Sequence, residues 1–503
     1  MKKQIIKNLF SNYLGTFISM LLGILIVPFL IFKLNKDAFG ISILAESIIS
    51  FFQVFTFSLR IALSRNATIA ISKKDTPAFI EYLSTGKYIL NIVAVFTLIG
   101  GLILSYFFPI LFNIPDHLKF QSQILFALII ISFSASIPNI IYWSVLYAHQ
   151  RFDLINYSNF GGMILRAVFI FFLFNILPAQ YINLITYGII YFIMTLGQNI
   201  LVFIWHKKIH SSLKISSKIT NKNKIKEVLA FTSQLLMGNI GTIISDVSIN
   251  IIVNILLGPV FNTIYSISTK FPALIKRLFL DPTASLSPTF THLVSIKDDV
   301  RLKMLFFMYS KLLNIMIFAV SVILIVYSKL IILTWVGGDF ITSAELMPYF
   351  IVATALIIPS TICSTVNTSL GKVKFPALIV LSSSAITILL NLILIIKFNL
   401  GLKGIAVSSI IISLCVFSIL IPKYTCSLLE IPLLEYCYET LFKPLFLAAI
   451  LGFLTFYVSN QSHLLIFVTV SGLTAVYALL SYYICFTKNE KETLLTLIIK
   501  NKK

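Results

Sequence analysis

Acidic side chains are scarce in this chain. Its 18 Asp and Glu stand against 39 Lys and Arg in 503 residues, and the four types together make up only 11% of the sequence. Soluble domains carry about a quarter charged residues, so an ordinary soluble fold is excluded. Cysteine is sparse as well. The five cysteines (Cys363, Cys415, Cys426, Cys437 and Cys485) form no C-x-x-C pair and lie mainly in apolar segments, which argues against a zinc site or a disulfide framework. The Gly-rich nucleotide pattern G-x-G-x-x-G and the Walker A pattern are both missing, as are a hydrolase triad and a metal-ligand cluster. ATP-driven chemistry therefore has no support here, no cofactor is indicated, and the chain does not read as an enzyme. A membrane-embedded glycosyltransferase or polymerase would need a long extramembrane loop, and the longest outside connectors, near Pro109 to Lys119 and Lys329 to Glu345, are short.

What fills the sequence instead is apolar. Hydrophobic residues make up 58% of it, with 44 Phe and 21 Tyr. About twenty apolar residues cross a bilayer core as a helix, and roughly fourteen such stretches follow one another, from 9–32 and 40–63 to 443–459 and 463–486. The expected fold is an all-α membrane protein of about fourteen transmembrane helices. The net charge of +21 is scattered over short connectors, which speaks against a nucleic-acid surface. Lys and Arg fall mostly in alternate gaps, while the opposite gaps hold only Lys33, Lys36, Lys119, Lys329, Lys397 and Lys403. The positive-inside rule then places both termini in the cytoplasm. The run after Met1-Lys2-Lys3 is too long for a cleaved signal and reads as the first membrane helix.

The most polar connector carries Lys207, Lys208, Lys214, Lys218, Lys222, Lys224 and Lys226. It divides the chain into a six-helix lobe at 1–206, a cytoplasmic linker at 207–228, a second six-helix lobe at 229–421, and two added helices with a tail at 422–503. The linker suits a solvated segment drawn to anionic lipid heads. At a shift of about 223 residues, Leu34-Asn35 and Phe39-Gly40-Ile41 fall on Leu257-Gly258 and Asn262-Thr263-Ile264, and Tyr147 to Phe152 falls on Leu370 to Phe375. Ile137-Pro138 matches Ile358-Pro359 with a small gap. Each half begins inside and has an even number of helices, so the halves are expected to be pseudo-symmetric parallel repeats around a central cavity.

Ionisable residues inside the spans each cost at least about 2.5 to 3.5 kcal/mol at mid-helix and are functional candidates for that reason. Counted at about 1.5 Å per residue from the nearest turn, Glu46, Asp246, Lys270 and Arg166 all lie about 15 to 18 Å deep. The expectation is a mid-membrane ring of two carboxylates and two cations. Asp246 and Lys270 would form a neutralising pair between helices seven and eight. In the functional version of the ring, Lys270 and Arg166 meet an anionic substrate group while Asp246 or Glu46 changes protonation. Nearer the cytoplasm lie Arg60, Lys276, Arg277 and Asp281, either snorkelling to lipid phosphates or lining a vestibule that collects a diphosphate. Tyr142, Tyr265 and Tyr309 lie inside spans and are candidates for stacking on sugar rings.

The order and spacing of several short motifs carry a resemblance that runs nearly end to end. They are Pro28-Phe29-Leu30 with Phe39-Gly40, Arg65, Gln150-Arg151-Phe152 with Asn156, and Arg166; then Asp246, Leu257-Gly258-Pro259 with Tyr265, Trp335-Val336-Gly337, Gly371-Lys372-Val373-Lys374 and Leu400 to Gly404. In these the chain resembles the polysaccharide flippase branch of the multidrug/oligosaccharidyl-lipid/polysaccharide exporter superfamily. The resemblance implies two six-helix lobes around a V-shaped cavity. It also implies alternating-access transfer of an undecaprenyl-diphosphate-linked oligosaccharide for O-antigen or capsule, in a bacterial inner membrane beside a polymerase and chain-length machinery. Coupling to H+ or Na+ would fall to Asp246 or Glu46. A flippase of lipid-linked peptidoglycan precursors and a multidrug/cation antiporter of the same superfamily remain the alternatives. Two departures stand out: Asn35 occupies a position where the family often has Gly, and Ser58 replaces a usual Gly before Arg60.

Overall fold

The computed structural model describes residues 2–149, 151–209, 221–284, 286–458 and 463–499. Within them the chain is a succession of helices. In order these are α1 (Lys2–Ser72), α2 (Thr76–Leu111), α3 (Lys119–Ser136), α4 (Ile140–Ala148), α5 (Phe152–Ile176), α6 (Leu184–Ile209), α7 (Lys222–Leu257), α8 (Pro259–Ala284), α9 (Ser287–Ser295) and α10 (Asp299–Val326). They continue as α11 (Ser328–Val336), α12 (Ile341–Ile357), α13 (Ser360–Ser369), α14 (Lys374–Leu392), α15 (Gly401–Ile412), α16 (Ile421–Leu428), α17 (Leu433–Cys437), α18 (Lys443–Val458), α19 (His463–Cys485) and α20 (Lys488–Ile499). Only helices and closed barrels satisfy every backbone group in hydrocarbon, and the protein is an all-α membrane protein of the first kind. Among the described residues, 11 helices are long and apolar enough to cross a bilayer. One of them, Leu14–Thr68, is 55 residues long and turns at Asn35, so it supplies two of the expected spans.

Local sequence explains where helices begin and bend. Asp75 and Asp298 cap α2 and α10, each side chain accepting a backbone N–H three residues on, from Ala78 and Arg301. α3 gives way to α4 around Pro138, and α12 gives way to α13 at Pro359, because proline cannot donate to the preceding turn. The sharpest feature is Asn35, with φ 70° and ψ 166°. Gly258, its counterpart at the repeat offset, has φ 98° and ψ 172°, and Gly337 has φ 95° and ψ 172°. That corner of backbone space is essentially open to glycine alone. Two glycines and one asparagine thus make the same turn, and only the asparagine is strained.

The chain forms two compact units, Met1–Thr263 and Ile264–Lys503, dividing within α8. In the first, α1 packs along α7, α5 and α4, and α3 packs against α6 and α2. Gly40 lies so close to the start of α8 that an added Cβ would sit 2.0 Å from the Pro259 carbonyl oxygen. Thr263 donates to the Lys36 carbonyl at 2.6 Å and Asn262 donates to that of Gly40 at 3.2 Å. In the second unit, α10 is the spine: it packs against α18 and α12 and touches α19. Asn314 of α10 donates to the Thr440 carbonyl at 2.5 Å, Tyr327 to that of Thr455 at 3.1 Å, and Tyr477 of α19 to that of Ile315 at 3.0 Å. These bonds fasten the two last apolar helices to α10. The central part of the Lys-rich linker, 210–220, lies outside the described residues, as does Gln150.

The strained turn makes a direct prediction. Asn35→Gly should raise the thermal midpoint of the purified protein, in keeping with relief of about 1 kcal/mol or more, while Asn35→Val should lower it. An unchanged or lower midpoint for Asn35→Gly, read by thermal denaturation in detergent, would contradict the strain.

Candidate functional site in the first unit

Beyond Asn35, α1 carries Glu46, Ser50, Gln53, Phe57 and Arg60 at steps of four and three residues. That spacing keeps all five on one face of the helix. Opposite, α6 carries Tyr187 and Tyr191 four residues apart, and α5 carries Arg166. The Tyr187 hydroxyl donates to Glu46 Oε1 at 2.8 Å. The guanidinium of Arg166 lies over the Tyr191 ring, with Cζ 4.1 Å from its centroid. Both tyrosines interact electrostatically with Glu46 and with Arg166. One carboxylate and one guanidinium therefore share a cluster whose intermediate groups are two phenols. The arrangement leaves Arg166 Nε buried without a hydrogen-bond partner. A planar guanidinium held on a ring face keeps its donor edge for a carboxylate or phosphate.

The remaining candidates lie as follows. Arg60 is half-buried, with Cζ 5.0 Å from the Phe57 ring centroid. Five residues nearer the end of α1, Arg65 lies 4.6 Å over the Phe231 ring of α7 and reaches Asn66 Oδ1 at 3.5 Å. Beside Arg60, Ser58 is fully buried and its hydroxyl has no partner. The helix containing Asp246 is described, but the side chains of Asp246 and Asp281 lie outside the described residues. Lys270 and Lys276 are half-buried and Arg277 is exposed, all three on the part of α8 that belongs to the second unit. The structure thus brings Glu46 and Arg166 together in the first unit and keeps the three cations of α8 together in the second. Tyr142, Tyr265 and Tyr309 pair with rings of the protein: Tyr142 with His206 at 4.7 Å, Tyr265 with Phe350 at 5.4 Å and Tyr309 with Phe290 at 6.0 Å.

Residues that sequence reasoning passed over matter too. Tyr187 and Tyr191 were hidden among 21 tyrosines, and only their four-residue spacing on a membrane helix marked them. A second charged cluster lies in the second unit. Lys311, 3% exposed in the middle of α10, meets Glu490 at 3.1 Å and Glu439 at 3.3 Å, and Glu439 also meets Lys443 at 2.5 Å. Glu490 simultaneously caps its own helix, accepting the Thr487 N–H at 2.7 Å and hydroxyl at 3.1 Å. The four charges line a cavity of about 400 Å³ with Phe307 and Phe486. Two signals lay in the sequence: a lysine inside an apolar span and the capping-box pattern Thr487-x-x-Glu490.

Known proteins agree with this architecture. A lipid II flippase MurJ in an inward closed conformation superposes with a TM-score of 0.65 and 18% identity, covering 94% of this chain and 98% of that one. The fold is that of the MOP-superfamily transporters. An inward-facing multidrug resistance MATE family transporter of that superfamily gives a TM-score of 0.65 at 11% identity over 83% of this chain and 95% of its own. A MOP superfamily transporter from Pyrococcus furiosus, described as having a binding pocket of reverse polarity, gives 0.59 at 10% over 86% and 97%. By sequence, the membrane protein EpsK of Bacillus subtilis (strain 168), itself uncharacterized, is 21% identical over 423 residues, 83% of this chain and 82% of its own length. No family model matches the chain.

Removing one member of a buried charge set leaves the others uncompensated, at a cost of about 3 to 5 kcal/mol. Lys311→Ala should therefore lower the thermal midpoint well below that of the wild type, and Lys443→Ala, on a more exposed lysine, should lower it less. Equal midpoints for the two variants, measured in the same detergent, would refute the ranking.

Proposed function

We propose that the protein is a flippase that moves an undecaprenyl-diphosphate-linked oligosaccharide, an O-antigen or capsule repeat unit, across the bacterial cytoplasmic membrane by alternating access. The observation that carries this reading is Arg166: a guanidinium inside an apolar bundle, held on a tyrosine face with Nε unpartnered. An anionic group with several oxygen acceptors answers that geometry, and a diphosphate is such a group. The cations along the chain fit the same cargo. Arg60, Lys276 and Arg277 would gather the diphosphate from the cytoplasmic leaflet, and Lys270 would meet it deeper in the membrane. The prenyl tail would stay in lipid.

In this mechanism Glu46 has a different task. Its hydrogen bond with Tyr187 places a carboxylate next to the phenols that also feel Arg166. A cargo that engages Arg166 shifts the balance of charge at Glu46, so uptake of H+ or Na+ at Glu46 or Asp246 couples to cargo movement. Both termini are assigned to the cytoplasm from the distribution of Lys and Arg, and the polysaccharide polymerase and chain-length machinery are the expected partners.

The similarity to a structure titled as a lipid II flippase supports a lipid-linked cargo and keeps a peptidoglycan precursor as the second reading. The similarity to MATE transporters would suit an organic cation, but a cation site calls for an excess of carboxylates, and the cluster here holds a single one, Glu46, already bonded to Tyr187, beside a guanidinium whose Nε is unpartnered. Arg166→Ala and Lys270→Ala should each abolish surface polysaccharide in cells that retain normal levels of the protein in the membrane, and Arg166→Lys should restore only part of it because lysine lacks the planar donor fork. Normal polysaccharide in both alanine variants would overturn the charged-site mechanism. Unchanged polysaccharide with new sensitivity to cationic drugs would favour the antiporter.

A further inference from the structure

The cavity of the second unit has a charge left over. Three carboxylates line it, Glu435, Glu439 and Glu490, against two ammonium groups, Lys311 and Lys443. Lys311 is enclosed by Glu490 and Glu439, and Lys443 meets Glu439 as well. Glu435 stands outside this set. It is exposed, four residues before Glu439 on the same cavity wall, and among the described residues no hydrogen bond or ion pair engages its carboxylate. That wall runs through a π turn, Tyr438–Phe442, which joins α17 to α18, an irregularity frequent at functional sites.

The surroundings narrow what can answer the extra negative charge. Among the described residues, no group of three or more His, Cys, Asp or Glu side chains is placed to hold a metal ion. Phe307 and Phe486 line the same cavity, and Phe307 already lies 5.8 Å from Lys311 Nζ; aromatic faces attract ammonium groups. Leu434, Tyr438 and Phe442, interleaved with the charged residues of the wall, are exposed, as are Tyr483 and Ile484 of α19. Both segments are long and apolar enough to cross a bilayer, so these side chains face acyl chains. A soluble amine would leave that apolar rim uncovered. An anionic lipid would bring negative charge to a carboxylate that has no partner.

Beside the rim is a donor for a phosphate. Lys491 Nζ donates to the Tyr483 carbonyl at 3.0 Å and lies 5.5 Å from the Tyr482 and Tyr483 ring centroids. An ammonium has three N–H donors, so two remain. We infer that the cavity is a headgroup site for a zwitterionic phospholipid with a primary amine, of the phosphatidylethanolamine class. The ammonium sits on Glu435 beside Glu439, the phosphate on Lys491, and the acyl chains run along Tyr438, Phe442 and Ile484. The site lies in the second unit, apart from Arg166, and does not rest on the flippase reading.

The test uses the full chain in detergent, with acyl-labelled phosphatidylethanolamine displaced by four unlabelled competitors: phosphatidylethanolamine, phosphatidylcholine and phosphatidylglycerol of the same acyl chains, and water-soluble glycerophosphoethanolamine. The wild type should bind phosphatidylethanolamine about tenfold more tightly than phosphatidylglycerol, and more tightly than phosphatidylcholine, whose methylated nitrogen has no N–H to donate. Glu435→Gln should erase the preference over phosphatidylglycerol in a protein that keeps its lipid-free thermal midpoint, and Glu435→Lys should reverse it. Equal affinity of the wild type for the three lipids, or a preference that survives in both variants, overturns the site. Glycerophosphoethanolamine competing as well as the intact lipid overturns the membrane as the source of the ligand.

Discussion

A charge placed in hydrocarbon must be neutralised, hydrated or used, and this requirement organises the protein more than any packing rule. Most spans meet it by keeping their charges toward the ends. Two of the exceptions show two different solutions. Lys311 is closed in by two carboxylates, one of which also caps a helix, so every group has its partner. Arg166 is treated differently: it is supported from one side by a ring and left with a donor unmade. The first pattern is what a structural ion pair looks like in a membrane. The second is the arrangement on which the proposed binding of an anionic cargo rests.

Much of this was readable from the sequence, and the limits of the reading are physical. Membrane class followed from apolar run length, because hydrocarbon thickness sets helix length with little latitude. Glu46 and Arg166 stood out by their depth because rise per residue is constant along a helix. What it could not supply was azimuth: which residues face one another depends on how α1, α5 and α6 rotate about their axes, and nothing local in the sequence sets that. Hence the phenols that bridge the two charges went unnoticed. Lys311 was missed for another reason. Its partners lie about 130 and 179 residues away, on helices that bring them close only in the folded bundle.

The repeat in the sequence has a clear structural trace. Asn35 and Gly258 adopt the same rare backbone conformation, and the helices that follow them meet at Gly40, where nothing larger than hydrogen fits against the Pro259 carbonyl. Two copies of one hairpin start, packed together with Thr263 and Asn262 bonding to the backbone of the other, form a junction that neither copy could form alone. That an asparagine adopts the geometry of Gly258 shows how strongly the junction dictates the turn: the surrounding contacts hold Asn35 where its own preferences would not.

The double role of Glu490 bears on the order in which the chain is made. It sits 179 residues after the lysine it neutralises. Lys311 on α10 is therefore made before either of its counter-charges, Glu439 and Glu490. When Glu490 arrives, the same carboxylate that completes the buried set also starts α20. Neutralisation of the inner lysine and initiation of α20 are then a single event, which ties the charge balance of a membrane-buried helix to the folding of a segment far downstream of it.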